Sequence, residues 1–262
     1  MLQRLPISVK KPESVINRIW RSGEFPSIWR TANIVPIPKP KCNDSGPAGF
    51  RPISLISCMA KIFERIINRR LVTELELRGQ LDKRQHAFRS GHGTDLYFAE
   101  LEKSLPTTDE HCLIASLDLS KAYDTTWRYG ILRTLKNWRI LGRMFNILRS
   151  FLSERMFQVN VGEHLSQPHP LENGVPQGSV LSVTLFLVAM QPIFRVIPPG
   201  IDILVYADDI LLVLRQAKNQ PLYRKMQQAV KAVAKWAKTS ALVSRQRNLG
   251  LFIAAPIHAE TL

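Results

Sequence analysis

The sequence predicts a mixed fold of α+β type. Three observations carry that expectation: amphipathic stretches of helical period in the first half, short apolar runs bounded by turn residues in the second, and alternation of those runs with further helices. With 262 residues, 45% of them hydrophobic, the chain has material for one large domain or two small lobes.

Pro12 and Glu13 open an amphipathic segment that Gly23 closes, with proline at the start and glycine at the end. The Pro-, Gly- and Asn-rich stretch from Ile37 to Arg51 reads as a loop inside a domain. Ser57 is the expected N-cap of a helix that shows Met59, Ile62, Phe63, Ile66, Ile67 and Leu71 on one side. Its other side carries Lys61, Arg65, Arg69 and Arg70, read as a solvated face ahead of a phosphate contact. Thr94 caps a further helix that ends near Leu105, ahead of Pro106.

Cys112 to Leu119 is a short apolar run ending near an acid, which suits a buried strand. Helices are expected around Trp127 to Trp138 and from Gly142 to Leu152, with an alternating strand from Met156 to Val161. Val180 to Gln191 is an apolar helix, and Ile201 to Leu214 reads as strand, turn, strand. Leu222 to Lys238 forms a basic helix with Met226, Val230, Val233 and Trp236 along one side. Trp29, Phe88 and Trp127 are read as packing residues.

Lys and Arg total 36 against 21 Asp and Glu, a net charge of +15. That surplus favours a polyanionic partner, because each cation set on a phosphate releases condensed counterions. Charge alone leaves nucleic acid, an acidic membrane surface and a ribosomal role open. Cys42, Cys58 and Cys112 are scattered with no paired spacing, which suggests neither a disulfide framework nor a zinc module and suits a reducing compartment. His86, His92 and His111 lack metal-site spacing. The opening Met1-Leu2-Gln3-Arg4 is not a secretory signal, and Val180 to Met190 is too short to span a bilayer. The expectation is an intracellular protein, nuclear or cytoplasmic, with no membrane partner.

The most informative segment is Ile203-Leu204-Val205-Tyr206-Ala207-Asp208-Asp209-Ile210-Leu211-Leu212-Val213. Two adjacent acids between apolar runs fall at the turn of a hairpin, where an inert turn would carry Asn-Gly or Asp-Gly. Divalent cations relieve such repulsion, and hard Mg²⁺ takes oxygen ligands. A third acid, Asp118, stands where the run Ser116-Leu117-Asp118-Leu119 ends. Three carboxylates from two neighbouring strands are what two-metal phosphoryl transfer requires.

In order along the chain, these segments resemble the reverse transcriptases of non-long-terminal-repeat retrotransposons, jockey-type elements above all. Ile34 to Lys41 and Phe50 to Leu55 are similar to the opening fingers motifs, and Gln85 to Thr94 to the block that follows. Leu117 to Asp124, Gly174 to Ser182 and Tyr206-Ala207-Asp208-Asp209 are similar to the three palm motifs. The resemblance implies a right-hand polymerase: fingers over 1–110, palm over 111–238, and a divergent tail over 239–262 with the thumb largely missing.

It also implies roles. Asp118, Asp208 and Asp209 match the metal-binding carboxylates for two Mg²⁺ ions, with the Leu119 carbonyl as a further ligand. Tyr123 matches the aromatic that excludes a ribose 2′-hydroxyl, an exclusion by steric clash. Gln177 and Gly178 match the loop lining the incoming nucleotide and template, and Arg51, with Lys39 or Lys41, the triphosphate contacts. Asp124 reads as a helix N-terminal acid. The implied partners are an RNA template, a DNA primer and deoxynucleoside triphosphates. The chain departs from the pattern at Ala87, at Val183, and after Trp236, where no lysine follows and Arg247 is the nearest base. The rival readings are a silent nucleic-acid-binding remnant of such a polymerase, an intron maturase, an RNA-dependent RNA polymerase and a basic structural protein. Tyr123 argues against the RNA-dependent RNA polymerase.

Overall fold

The computed structural model describes residues 7–40, 46–105, 110–119, 121–217, 222–240 and 249–253. The helices are α1 (Ile7–Ser22), α2 (Cys58–Leu77), α3 (Thr94–Lys103), α4 (Ala122–Thr125), α5 (Arg128–Asn137), α6 (Gly142–Leu152), α7 (Val180–Met190) and α8 (Leu222–Thr239). The strands are β1 (Thr31–Pro38), β2 (Phe50–Leu55), β3 (Glu110–Leu119), β4 (Met156–Val161), β5 (His164–Leu165), β6 (His169–Pro170), β7 (Asp202–Tyr206), β8 (Asp209–Ala217) and β9 (Leu249–Ile253). The mixed fold is therefore as expected. Tertiary contacts group the chain into two units, Met1–Arg78 with Arg128–Phe186 and Gly79–Trp127 with Leu187–Leu262. Each is discontinuous in sequence, whereas the division at 110 and 238 follows motif order.

In the first unit a sheet runs β2-β1-β4-β5, with β6 on β4. β1 and β2 were not anticipated, because the stretch from Ile37 to Arg51 read as loop. The ladder in fact extends to Ile37↔Arg51 and Pro38↔Phe50, so the loop is shorter. Proline is tolerated here because β1 pairs with β4 only over Thr31 to Ile34. Pro36 and Pro38 lie beyond that stretch, where one side of the strand needs no ladder donors.

Helix α1 begins ahead of Pro12, at Ile7, and ends as expected: Gly23 takes φ +71° and donates its N–H to the Ile19 carbonyl at 3.2 Å. Ser57 precedes α2 as expected, although its hydroxyl makes no cap bond. The buried stripe of α2 is Ala60, Phe63, Glu64, Ile67, Leu71 and Leu75, at helical spacing. Ile62, expected on that side, is exposed. The basic face is solvated at Arg65, Arg69 and Arg70, and Arg70 also lies over the Trp20 ring at 4.6 Å. An aromatic cluster centres on the fully buried Phe25, edge-on to Phe151 at 5.1 Å and to Trp29 at 5.8 Å.

In the second unit the sheet runs β7-β8-β3-β9. Along β3, Leu113, Ala115, Leu117 and Leu119 are buried while Ser116 and Asp118 are not, the alternation of a strand with one covered face. Met226, Ala229, Val233, Trp236 and Ala237 form the buried side of α8, which contacts β3 and β8. Strand β9 comes from the tail and pairs antiparallel with Ala115 to Leu119. Phe88, read as a packing residue, is exposed at φ +60°. No helix among the described residues is long and apolar enough to cross a membrane.

The Phe25 ring has no room to be replaced by solvent. Phe25→Ala is expected to destabilise the fold by about 3–5 kcal/mol, as measured by urea unfolding, with the loss confined to stability.

Candidate active site

The acids are placed by strand register. β3 and β8 pair antiparallel without a break from Glu110↔Ala217 to Asp118↔Asp209, so Asp118 stands opposite Asp209. β7 and β8 pair down to Tyr206↔Asp209, leaving Ala207 and Asp208 as a two-residue turn. Ala207 takes φ +58° at the first central position, where glycine is the usual occupant.

The electrostatics follow from this crowding. Burial raises the Asp208 carboxyl above the usual range, and repulsion from Asp209 and Asp118 adds to it. The Asp209 carboxyl is raised for the same reasons, burial first and then Asp118. After β3, Lys121 turns the chain at φ +53° into α4, which carries Tyr123. Burial and then the neighbouring Asp208 charge push the Tyr123 hydroxyl up to about 12, so the ring is neutral at any physiological pH. Asp124 falls in the first turn of α4, as read from the sequence.

Among the described residues no three His, Cys, Asp or Glu side chains are gathered closely enough to hold an ion by themselves. The donor set still suits Mg²⁺ in kind. It offers hard oxygens with unrelieved repulsion, and Mg²⁺ is usually bound by one or two carboxylates completed by water and substrate phosphates. Asp118, Asp208 and Asp209 therefore fit as part of a shell.

The other expected contacts lie in the first unit. Ser54 donates its N–H to the Gln177 carbonyl at 2.7 Å. Gly178 takes φ +117°, and a Cβ there would stand 2.7 Å from the Ser54 carbonyl oxygen, so only glycine fits. Arg51 is exposed on β2 opposite Ile37. Lys39 is exposed, and its N–H closes the β1–β2 hairpin on the Gly49 carbonyl at 2.8 Å. Lys41 lies outside the described residues.

Two groups that hold this loop escaped the sequence reading. Glu64, on the buried stripe of α2, accepts through Oε2 from the Ser179 hydroxyl at 2.6 Å and from the N–H groups of Val180 at 2.8 Å and Leu181 at 3.3 Å. It thereby satisfies the first amides of α7, just past Gln177 and Gly178. Burial raises its carboxyl above the usual range, against those hydrogen bonds and the charge of Arg155. On the far side of the loop, Arg128 donates to the carbonyls of Gly174 at 2.7 Å, Asn173 at 3.2 Å and Leu152 at 3.0 Å. Burial brings its pKa down to about 10, still fully charged near neutrality. An acid interrupting an apolar stripe was the visible signal for Glu64; Arg128 had none.

This architecture is that of a polymerase core. The fold matches telomerase from Candida albicans with a TM-score of 0.60 at 15% identity, covering 92% of this chain and 47% of that one. It matches telomerase from Candida tropicalis with a TM-score of 0.58 at 14% identity, covering 94% of this chain and 55% of that one. Residues 37–246 match the family described as reverse transcriptase (RNA-dependent DNA polymerase), and the chain belongs to that family. It is 32% identical to a probable RNA-directed DNA polymerase from transposon BS of Drosophila melanogaster, over 86% of this chain and 26% of the relative. It is 31% identical to the RNA-directed DNA polymerase from mobile element jockey of the same fly, over 85% and 25%. The chain thus spans about a quarter of the length of these relatives.

Two outcomes are expected. Gly178→Ala places a side chain against the Ser54 carbonyl at a left-handed φ, a strain of about 1–3 kcal/mol before any clash, and urea unfolding should show at least that loss. For Glu64, the folded state holds a proton to higher pH than the unfolded chain does. Its contribution to stability therefore falls as pH rises through the shifted value. Unfolding curves from mildly acidic to neutral pH should show that slope in the parent and a flatter one in Glu64→Gln.

Proposed function

We propose that the chain is the catalytic core of an RNA-directed DNA polymerase of a non-long-terminal-repeat retrotransposon. The reaction is addition of deoxynucleotides to a primer 3′-hydroxyl on an RNA template, with release of pyrophosphate. The observation that carries the reading is the meeting of Asp118 and Asp209, opposite each other on paired strands, with Asp208 in the adjoining turn, where burial first and then the Asp118 charge raise both Asp208 and Asp209.

In this reading Asp118, Asp208 and Asp209, with the Leu119 carbonyl, hold two Mg²⁺ ions. When bound, such ions lower the pKa of the attacking hydroxyl and neutralise the triphosphate and leaving group. Tyr123 lies beneath the sugar of the incoming nucleotide, and its neutral ring excludes a 2′-hydroxyl by contact rather than by charge. Arg51 offers a bidentate fork to the triphosphate, with Lys39 or Lys41 as point charges. The loop at Gln177 and Gly178 brings backbone close to the nucleotide and template. The net charge of +15 suits binding to phosphate backbones, and the template duplex is recognised through its A-like shape. Fingers over 1–110 and palm over 111–238 follow from the motif order, and the scattered cysteines suit a reducing, intracellular setting.

Primer extension on an RNA template with Mg²⁺ and deoxynucleotides tests this. The parent should extend, and both Asp118→Ala and the double variant Asp208→Ala, Asp209→Ala should lose roughly a thousandfold or more in rate, the several kcal/mol expected of metal-borne stabilisation. A parent that fails to extend, yet binds primer–template with the same salt dependence as the variants, would instead identify a silent nucleic-acid-binding remnant and sink the polymerase reading.

A further inference from the structure

Gln85 lies between α2 and α3 and is fully buried. Its backbone runs beside β7: Val205 donates its N–H to the Arg84 carbonyl at 2.9 Å, and His86 donates to the Val205 carbonyl at 2.9 Å. A parallel bridge pairs Gln85 with Val205. That pairing delivers the carboxamide to the turn beyond Tyr206. Oε1 accepts from the Ala207 N–H at 3.3 Å and from the Ala87 N–H at 3.2 Å, while Nε2 donates to the Ala207 carbonyl at 3.5 Å.

Ala207 is the strained member of the turn, a non-glycine residue at φ +58° immediately before Asp208 and Asp209. Such a conformation persists only where the surroundings over-determine it. Gln85 grips the same residue on both its N–H and its carbonyl. The chemistry of the amide also suits the place. A methionine there would offer no strong donor or acceptor, and a glutamate would add a fourth negative charge beside three mutually repelling acids.

We propose that Gln85 is a positioning residue for the Tyr206-Ala207-Asp208-Asp209 turn, clamping Ala207 so that the Asp208 and Asp209 carboxylates stand in register with Asp118. The clamp rests on the reading of those three acids as metal ligands. It acts through the turn and touches neither metal nor substrate, so its signature is weakened metal binding in a folded chain.

The experiment uses the full chain, Mn²⁺ as the probe, and electron paramagnetic resonance of the free ion, with deoxynucleoside triphosphate present to complete the shell and the same mixture without protein as the reference. Gln85→Met should keep the far-ultraviolet circular dichroism of the parent, bind Mn²⁺ about tenfold more weakly, and need correspondingly more Mg²⁺ for half-maximal primer extension, with the KM for primer–template unchanged. Ala207→Gly in the Gln85→Met background should recover part of the Mn²⁺ affinity, because glycine takes a positive φ without help. Gln85→Asn, one methylene too short to reach, replaces Gln85→Met if the latter fails to fold, and the same weakening is expected. Parent-like Mn²⁺ binding in a folded Gln85 variant overturns the clamp and leaves the polymerase reading standing. A parent that binds no Mn²⁺ beyond the protein-free triphosphate reference removes the metal reading itself and the clamp with it.

Discussion

The unbroken register of β3 against β8 is the constraint on which the rest depends. A slip of one residue would turn every side chain of the strand to the other face. Leu113, Ala115, Leu117 and Leu119 oppose such a slip because each would surrender its buried position. The placement of Asp118 opposite Asp209 is therefore enforced by apolar burial along the whole strand, with no need for attraction between the acids themselves.

Turns are less well determined than strands, and here they are held by buried and half-buried polar groups. In one unit the carboxylate of Glu64 satisfies the start of α7, and Arg128 gathers three carbonyls before it. In the other the Gln85 carboxamide grips Ala207. Burying such groups is costly unless they are hydrogen-bonded. Each therefore fixes one local arrangement sharply, since any displacement would leave a buried donor or acceptor unmet.

Much of this was legible in the sequence. Regular apolar periodicity announced β3, the β7–β8 hairpin, α6, β4 and α8 nearly to the residue, and the paired acids announced the turn. Prolines hid β1 and β2, since a proline in a ladder reads as a break unless one knows that the strand is unpaired on one side there. Phe88 and Ile62 misled because hydrophobicity reports a preference for burial, while the local backbone decides where a side chain goes. Glu64 was visible as an acid in an apolar stripe, but its partners lie more than a hundred residues away in sequence, beyond the reach of any local pattern. β9 was concealed by its place in a tail with little resemblance to anything. The roles of the acids came from family resemblance, not from spacing.

The discontinuity of both units has a kinetic side. β1 must find β4 across more than a hundred residues, and β3 must find β9 across a comparable stretch. Loop closure on that scale precedes any reward from contact, so contact order is high and folding correspondingly slow. As the chain leaves the ribosome, α2 exists long before Ser179, so the Glu64 carboxyl waits in water, ionised and unburied, until its amides arrive. The same applies to Gln85 and the turn at Ala207. Neither unit can complete itself from an N-terminal segment, and exposed sheet edges must persist through much of synthesis, when association with other chains is most favoured.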